Sequence, residues 1–473
     1  MRQRPPQLPR RNLPPHRLNP PPASLRDFRR PGPRARRRRD RRQAHLGEKF
    51  SPVHAPSTPP VSPSRKPRPR PRRACAPGRP PPQSALLDSA ALRDLLISWA
   101  NLSSGSDNFP GLDRMRLALA AEFATLPGAT VEHIPLAGTP AQALRIRVRP
   151  AAPLQLLFSG HFDTVYGADS PFQRCTLLDA DTLRGPGVAD MKGGLVVILA
   201  ALRAFETSPS AARLGYEILL TPDEEIGSFG SGPLFAAAAA SRRFALALVY
   251  EPARPNGDVV HSRKGTGNFV ATCYGRAAHA ASPTRAGRNA IAALAEFLAA
   301  AHRVPDELPG GMLNIGNIRG GGPATNVVPD FAEAQLDLRV TRIADRDPFI
   351  ARLLALAAPI NARDGLHLAL SGAFNRPPKE SGPVEAVALT ALQQSARELG
   401  LAPFTSVHTG GASDGNNLAA AGLPNLDALG PIGDRLHSAD EFVRLGSIGE
   451  RARLTARLLE KLASGEVRLP PLP

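Results

Sequence analysis

Short apolar runs recur through the middle of this sequence, and an acid or an imidazole stands at or near the end of each. LQLLFSG (154–160) runs into His161 of GHFDTV, and GYEILLTP (215–222) runs into Glu224 and Glu225 of TPDEEIGS. FALALVYEP (244–252) carries Glu251 at its end. Asp190 lies in GVADMKGG, just ahead of the helical stretch LVVILAALRAFE (195–206), and His437 lies in LHSADE. Near-continuous apolar runs of this length suit strands buried on both faces, as in a parallel sheet covered by helices. Such strands present their C-terminal ends along one edge, so side chains far apart in sequence can converge on one point.

At 473 residues the chain is long enough for two folded domains. In ALLDSAALRDLLISWANL the apolar positions Leu92, Leu95, Leu96 and Trp99 have helical spacing, and a second helix is expected over 112–126. Strands are expected at TVEHIPL (130–136) and ALRIRVR (143–149). Strands alternating with helices predict an α/β domain with a largely parallel mixed sheet flanked by helices. The pattern changes near 262, where GNFVATCYG, MLNIGNI and FAEAQLDLRVT alternate as strands beside helices at 288–302 and 345–358. This reads as a smaller α+β unit (262–371) inserted between two parts of the first domain, 84–261 and 372–473. Helices at 383–399, 413–421 and 439–462 complete the second part.

The net charge of +18 is unevenly placed. Residues 1–84 hold 23 of the 59 Lys and Arg but only 3 of the 41 Asp and Glu, leaving 36 basic and 38 acidic residues in a near-neutral body. RARRRRDRR (34–42), RKPRPRPRR (65–73) and 22 prolines make residues 1–83 a disordered tail by composition. Clustered arginine suits nucleic acid, but only Phe28 and Phe50 supply aromatics there, so a tail without a role, or a misplaced gene start, is the preferred reading. Three widely spaced cysteines, Cys75, Cys175 and Cys273, argue against a disulfide framework. Neither a membrane span nor a secretory leader is visible, and a cytoplasmic location is expected.

The constellation suits a pair of divalent metals. Two imidazoles and several carboxylates fit transition ions, zinc above all, with cobalt and manganese as alternatives. In HFD, His161 and Asp163 are two apart, so on a strand they share a face, and Asp163 can orient the imidazole. Asp190 sits at a strand-to-helix turn where Gly193 and Gly194 permit close backbone approach, and it is the candidate to bridge two ions. Of the adjacent acids Glu224 and Glu225, one can bind metal while the other takes a proton from the attacking water. Two ions there would activate water for hydrolysis of an amide or similar acyl bond. Neither a serine nucleophile elbow nor a phosphate loop is present.

These motifs resemble one family, the dizinc hydrolases that include glutamate carboxypeptidase, acetylornithine deacetylase, succinyl-diaminopimelate desuccinylase and aminoacylase. GHFDTV, GxxDMKGG, TPDEEIGS, YEP and HSADE match its successive motifs, and GRAAHAASPTRAGRNAI, ATNVVPDFAEAQLDLR and GGASDGNN match further ones. The resemblance covers about 85–473.

It implies a catalytic α/β domain with an inserted lid that also dimerises the protein. It gives His161, Asp190 and Glu251 to one metal position, and Asp190, Glu225 and His437 to the other. Asp163 orients His161, and Glu224 is the general base. His279 of the lid reaches a substrate carbonyl, often in the partner subunit's site. Arg339 and Asn326 grip a substrate carboxylate, and the peptide after Asp190 is often cis. Glu251, where Asp is the other choice, points to the acylase and carboxypeptidase branch. The substrate class implied is an N-acyl or peptidyl amino acid with a free carboxylate, cleaved in the manner of a glutamate carboxypeptidase. The competing readings are a deacylase of the acetylornithine deacetylase type and, from another class, nucleic-acid binding through the tail.

Overall fold

The computed structural model describes residues 88–284 and 286–472. The reading of residues 1–83 as a tail and the Cys75 thiol lie outside these. A six-stranded mixed sheet forms the centre, in the order β1-β2-β6-β3-β7-β14. These strands are β1 (Thr130–Pro135), β2 (Gln142–Val148), β3 (Leu154–His161), β6 (Leu214–Thr221), β7 (Leu246–Val249) and β14 (Asn425–Leu426). β3 runs parallel to both β6 and β7, and β14 parallel to β7, whereas β1 and β2 pair antiparallel at one edge. All eight residues of β6 and all but the first of β3 are buried, as the apolar runs require.

Helices cover the sheet. Ser89–Ala100 opens on Asp88, whose carboxylate accepts the Ala90 N–H, and Phe109–Phe123 opens on Asn108, whose side chain accepts the Gly111 N–H. Each cap satisfies a backbone donor that the first helical turn leaves without a partner. Lys192–Phe205 is buried on nearly every side because it is apolar all round, and it packs between the sheet and the long final helix Leu445–Ser464. That final helix begins six residues later than the 439 start expected from sequence. The preceding residues form β16 (Phe442–Arg444), which pairs with β5 (Thr182–Arg184) in a small sheet completed by β4 (Thr176–Leu177) and β15 (Gly433–Asp434). Strand pairing there overrides the helical spacing of the sequence.

A second sheet has the order β10-β11-β9-β12, all antiparallel: β9 (Gly265–Tyr274), β10 (Gly311–Gly320), β11 (Phe331–Val340) and β12 (His367–Arg376). It carries its own apolar core, in which Leu294 and Phe297 of helix Ala290–Ala301 and Phe349 and Leu353 of helix Ile343–Asn361 pack on the strands. β12 has no counterpart in the sequence reading, and the boundary expected at 371 falls inside it. Its second half is polar and glycine-bearing, and it becomes a strand only by pairing with β9. β8 (Val259–Arg263) and β13 (Ser406–Thr409) form a short parallel pair. Cys175 and Cys273 are free thiols, and burial pushes Cys175 up to about 11 and raises Cys273 too. Among the described residues, no helix is long and apolar enough to cross a membrane.

Candidate active site

The parallel register of β3, β6 and β7 brings their C-terminal ends to one edge, with His161 opposite Thr221 and Ser159 opposite Val249. His161 therefore ends β3 beside the turn that carries Glu224 and Glu225, and Glu251 follows β7 by two residues. Asp190 arrives from the turn before helix Lys192–Phe205, where its peptide to Met191 is cis, as the family resemblance implies. An added Cβ at Gly194 would stand 2.1 Å from the Tyr250 carbonyl oxygen, so glycine is what lets this helix approach the Glu251 segment. His437 comes from the loop between β15 and β16, with a φ of 60°.

These five side chains converge. His161 Nε2 lies 3.1 Å from Asp190 Oδ1 and 3.8 Å from Glu251 Oε1. His437 Nε2 lies 3.3 Å from Asp190 Oδ2 and 3.2 Å from Glu225 Oε2. Each oxygen of Asp190 thus faces a different imidazole. Ligand atoms of His161, Asp190 and Glu225 all lie within 4.8 Å of one another. Asp163 stands behind His161, its Oδ1 3.3 Å from Nδ1, and its carboxylate also accepts the Glu224 and Glu225 N–H groups and the Ser106 hydroxyl.

The electrostatics record crowding of like charge. Burial raises Glu251 well above its ordinary value, and nearby Asp190 adds to that; the same two causes raise Glu225. Burial also works on Asp190, but its contacts with His161 and His437 outweigh it and hold the carboxyl below the usual range. Burial disfavours a charged His161, yet its bonds to Asp163 and Asp190 carry its pKa well above the ordinary value. His437 is raised to about 11 by Asp190 and Glu225. Three clustered carboxylates thus draw protons onto two imidazoles as the available neutralising charge. A divalent cation is the other way to supply that charge, and it binds the imidazoles in their neutral form. The donor set therefore fits metal.

Glu224 is buried, and burial pushes it up to about 8, against the pull of the Arg376 guanidinium. Arg376 Nη1 lies 2.8 Å from Glu224 Oε1, and Nη2 donates to the Glu224 carbonyl oxygen and to the Ser228 hydroxyl. The Ser228 hydroxyl in turn donates to Asp414 of GGASDGNN. Arg376 went unread in the sequence because it closes the unforeseen β12; an arginine just before Pro377-Pro378 was the available signal. Arg263 also went unread. It forms a buried two-pronged ion pair with Asp427, at 2.7 and 2.9 Å.

Among the described residues, the remaining expected residues make no hydrogen bond or ion pair to the cluster. His279 and Asn326 sit side by side and exposed on the inserted unit, where His279 bridges to Val327 and the Ala280 N–H donates to the Asn326 carbonyl. Arg339 turns Nε and Nη2 to Asp337 Oδ2, at 3.0 and 2.9 Å, and Nη1 to the Gly410 carbonyl, at 2.8 Å.

The chain is similar to known proteins over most of its length. Carboxypeptidase G2 of Pseudomonas sp. (strain RS-16) is 26% identical over 393 residues, covering 81% of this chain and 92% of that protein. Succinyl-diaminopimelate desuccinylase of Granulibacter bethesdensis is 29% identical over 373 residues, covering 74% and 93%. The fold is shared with aminopeptidase PepT from Bacillus cereus, with a TM-score of 0.66 at 20% identity over 80% of this chain and all of that one. It is also shared with the M20 metallo-carboxypeptidase Sso-CP2 from Sulfolobus solfataricus, at 0.63 and 16% identity over 78% and 98%. The profile of peptidase family M20/M25/M40 matches residues 157–461, a span that holds all five converging side chains, so the chain belongs to that family and is a hydrolase of its kind.

Proposed function

We propose that the protein binds two divalent metal ions, most simply zinc, and hydrolyses the amide bond of an N-acyl or peptidyl amino acid bearing a free carboxylate. The observation that carries this reading is Asp190, whose two oxygens each face a different imidazole, as a carboxylate shared by two ions must. His161 and Glu251 would complete one position, Glu225 and His437 the other. Such ions supply Lewis acidity toward the scissile carbonyl and the attacking water.

The chain's own residues do the rest. Asp163 fixes the ring of His161 and, through two backbone N–H groups, the direction of the Glu224-Glu225 turn. Glu224, next in sequence to Glu225 and held by Arg376 in one orientation, is the general base. The inserted unit acts as a lid, bringing Arg339 and Asn326 to the substrate carboxylate and His279 to its carbonyl. It also joins two copies. β10 is an edge strand of its sheet, and Met312 and Ile318 lie exposed on it. The likeness to carboxypeptidase G2 over most of both chains favours carboxypeptidase-like cleavage, while the likeness to desuccinylases favours removal of an acyl group from an amino acid. A hydrolysis screen of N-acyl amino acids and dipeptides on zinc-loaded protein, with elemental analysis, decides between them. Zinc-independent activity, or none on either class, would overturn the proposal.

A further inference from the structure

Glu441 stands four residues after His437 and is 1% exposed. Its Oε1 accepts the N–H groups of Ala189, at 2.9 Å, and Asp190, at 3.0 Å. Its Oε2 accepts the N–H of Gly187, at 3.1 Å, and the Tyr166 hydroxyl, at 2.9 Å. The Tyr166 proton is shared with the Ser438 carbonyl oxygen at 2.8 Å, and Glu441 donates its own N–H to that same oxygen at 3.1 Å. The Glu441 carbonyl accepts the Gly185 N–H. One buried side chain thus holds the turn that delivers Asp190 to the segment that delivers His437. These two pieces lie about 250 residues apart in sequence.

A buried carboxylate is costly unless its lone pairs are used, and here four donors use them. The two delivered residues meet at 3.3 Å. Arg435 and His437 both have positive φ, 56° and 60°, a conformation that non-glycine residues keep only where their surroundings enforce it. The Ser438–Glu441 contacts with Tyr166 and with the Asp190 turn supply that enforcement immediately beyond His437.

We propose that Glu441, with Tyr166, is the positioning residue that sets Asp190 against His437 and so determines metal affinity where those two side chains meet. This rests on the two-metal reading above. A role confined to stapling the fold would lower stability without changing metal affinity, and that difference makes the proposal testable.

The experiment titrates the metal-stripped full chain with Zn2+ against a competing chelator and records the melting temperature of the same metal-free samples. Glu441→Gln keeps the shape but leaves one acceptor oxygen for four donors, so two backbone or hydroxyl donors face an NH2 group. One of the two Zn2+ affinities should fall at least about tenfold, the lower range for loss of a partner that orients metal ligands. Tyr166→Phe removes one donor, keeps the carboxylate, and should weaken the same affinity by a smaller factor; it carries the test should Glu441→Gln not fold. Unchanged Zn2+ affinities with a lowered melting temperature would make Glu441 a structural staple and overturn the proposal. A wild-type protein that takes up no Zn2+ would overturn the two-metal reading and this inference with it, whereas full wild-type uptake with unaffected variants would remove Glu441's role alone.

Discussion

Glu224 and Arg376 form a buried ion pair, Oε1 to Nη1 at 2.8 Å, between the end of a central strand and the last residue of the inserted sheet. The pair ties the proposed base to the part of the chain that carries the proposed substrate-gripping residues. It also makes the protonation state of Glu224 depend on a residue 152 positions away.

Glu224→Gln keeps the shape and the hydrogen bond from Arg376 Nη2 to the residue 224 carbonyl oxygen but removes the base. Metal content and substrate binding should persist while kcat falls by about 10²–10⁴-fold, the contribution of positioned proton transfer. Stopped-flow or initial-rate kinetics beside elemental analysis would show it, and a fall of less than tenfold would take Glu224 out of proton transfer.

Arg376→Ala removes the cation that holds the Glu224 carboxyl down against burial. The pKa of Glu224 must then rise, and since the base works ionised, the acid limb of the kcat/KM profile should move to higher pH. Arg376→Lys should restore part of the shift. Removing one partner of a buried pair costs roughly 3–5 kcal/mol, so the alanine variant should also melt earlier. An unmoved acid limb would show that another group titrates.

Asp190→Ala should lose both metal ions, because one carboxylate faces both imidazoles. Elemental analysis of protein purified without chelator is the measurement. A variant that keeps its full metal content would exclude a bridging role.

Arg339 is held by Asp337 and by the Gly410 carbonyl, with its guanidinium only partly buried. Arg339→Ala should raise KM with a smaller change in kcat, as expected of a group that binds substrate before and during reaction. The effect should vanish for a substrate whose carboxylate is amidated; an equal loss on both substrates would assign Arg339 to holding the Gly410 segment instead.

His279 lies exposed between β9 and β10, and among the described residues it makes no hydrogen bond or ion pair to the cluster. Mixing Glu224→Gln and His279→Ala subunits should restore part of the activity each lacks alone, because one site of a mixed dimer carries both residues intact. Verified mixed dimers that stay inactive would confine His279 to its own subunit or remove it from the reaction.

How much was legible follows from the kind of interaction each feature depends on. The buried strands β3 and β6 and the helix Lys192–Phe205 announce themselves because burial on all sides demands unbroken apolar sequence. The polar residues placed at strand ends could be read as one constellation because parallel strands deliver their ends to one edge. β12 was hidden because its pattern, broken by Gly372 and Asn375, is that of a loop; nine residue pairs with β9 make it a strand. The start of the final helix was misplaced for the same reason, since Phe442–Arg444 is held by Thr182–Arg184.

The sequence by itself determined which side chains are available for chemistry, the α/β class, and the change to alternating strands after residue 262. These follow from residue type and periodicity, which are local. Only the tertiary structure decided that Arg376 faces Glu224, that Glu441 holds the Asp190 turn, and that Asp190 points one oxygen at each imidazole. Those relations join residues 29 to 251 positions apart through hydrogen bonds and ion pairs a few ångströms long. No periodicity carries such information, because the partners are chosen by packing and by the cost of leaving a buried charge unpaired.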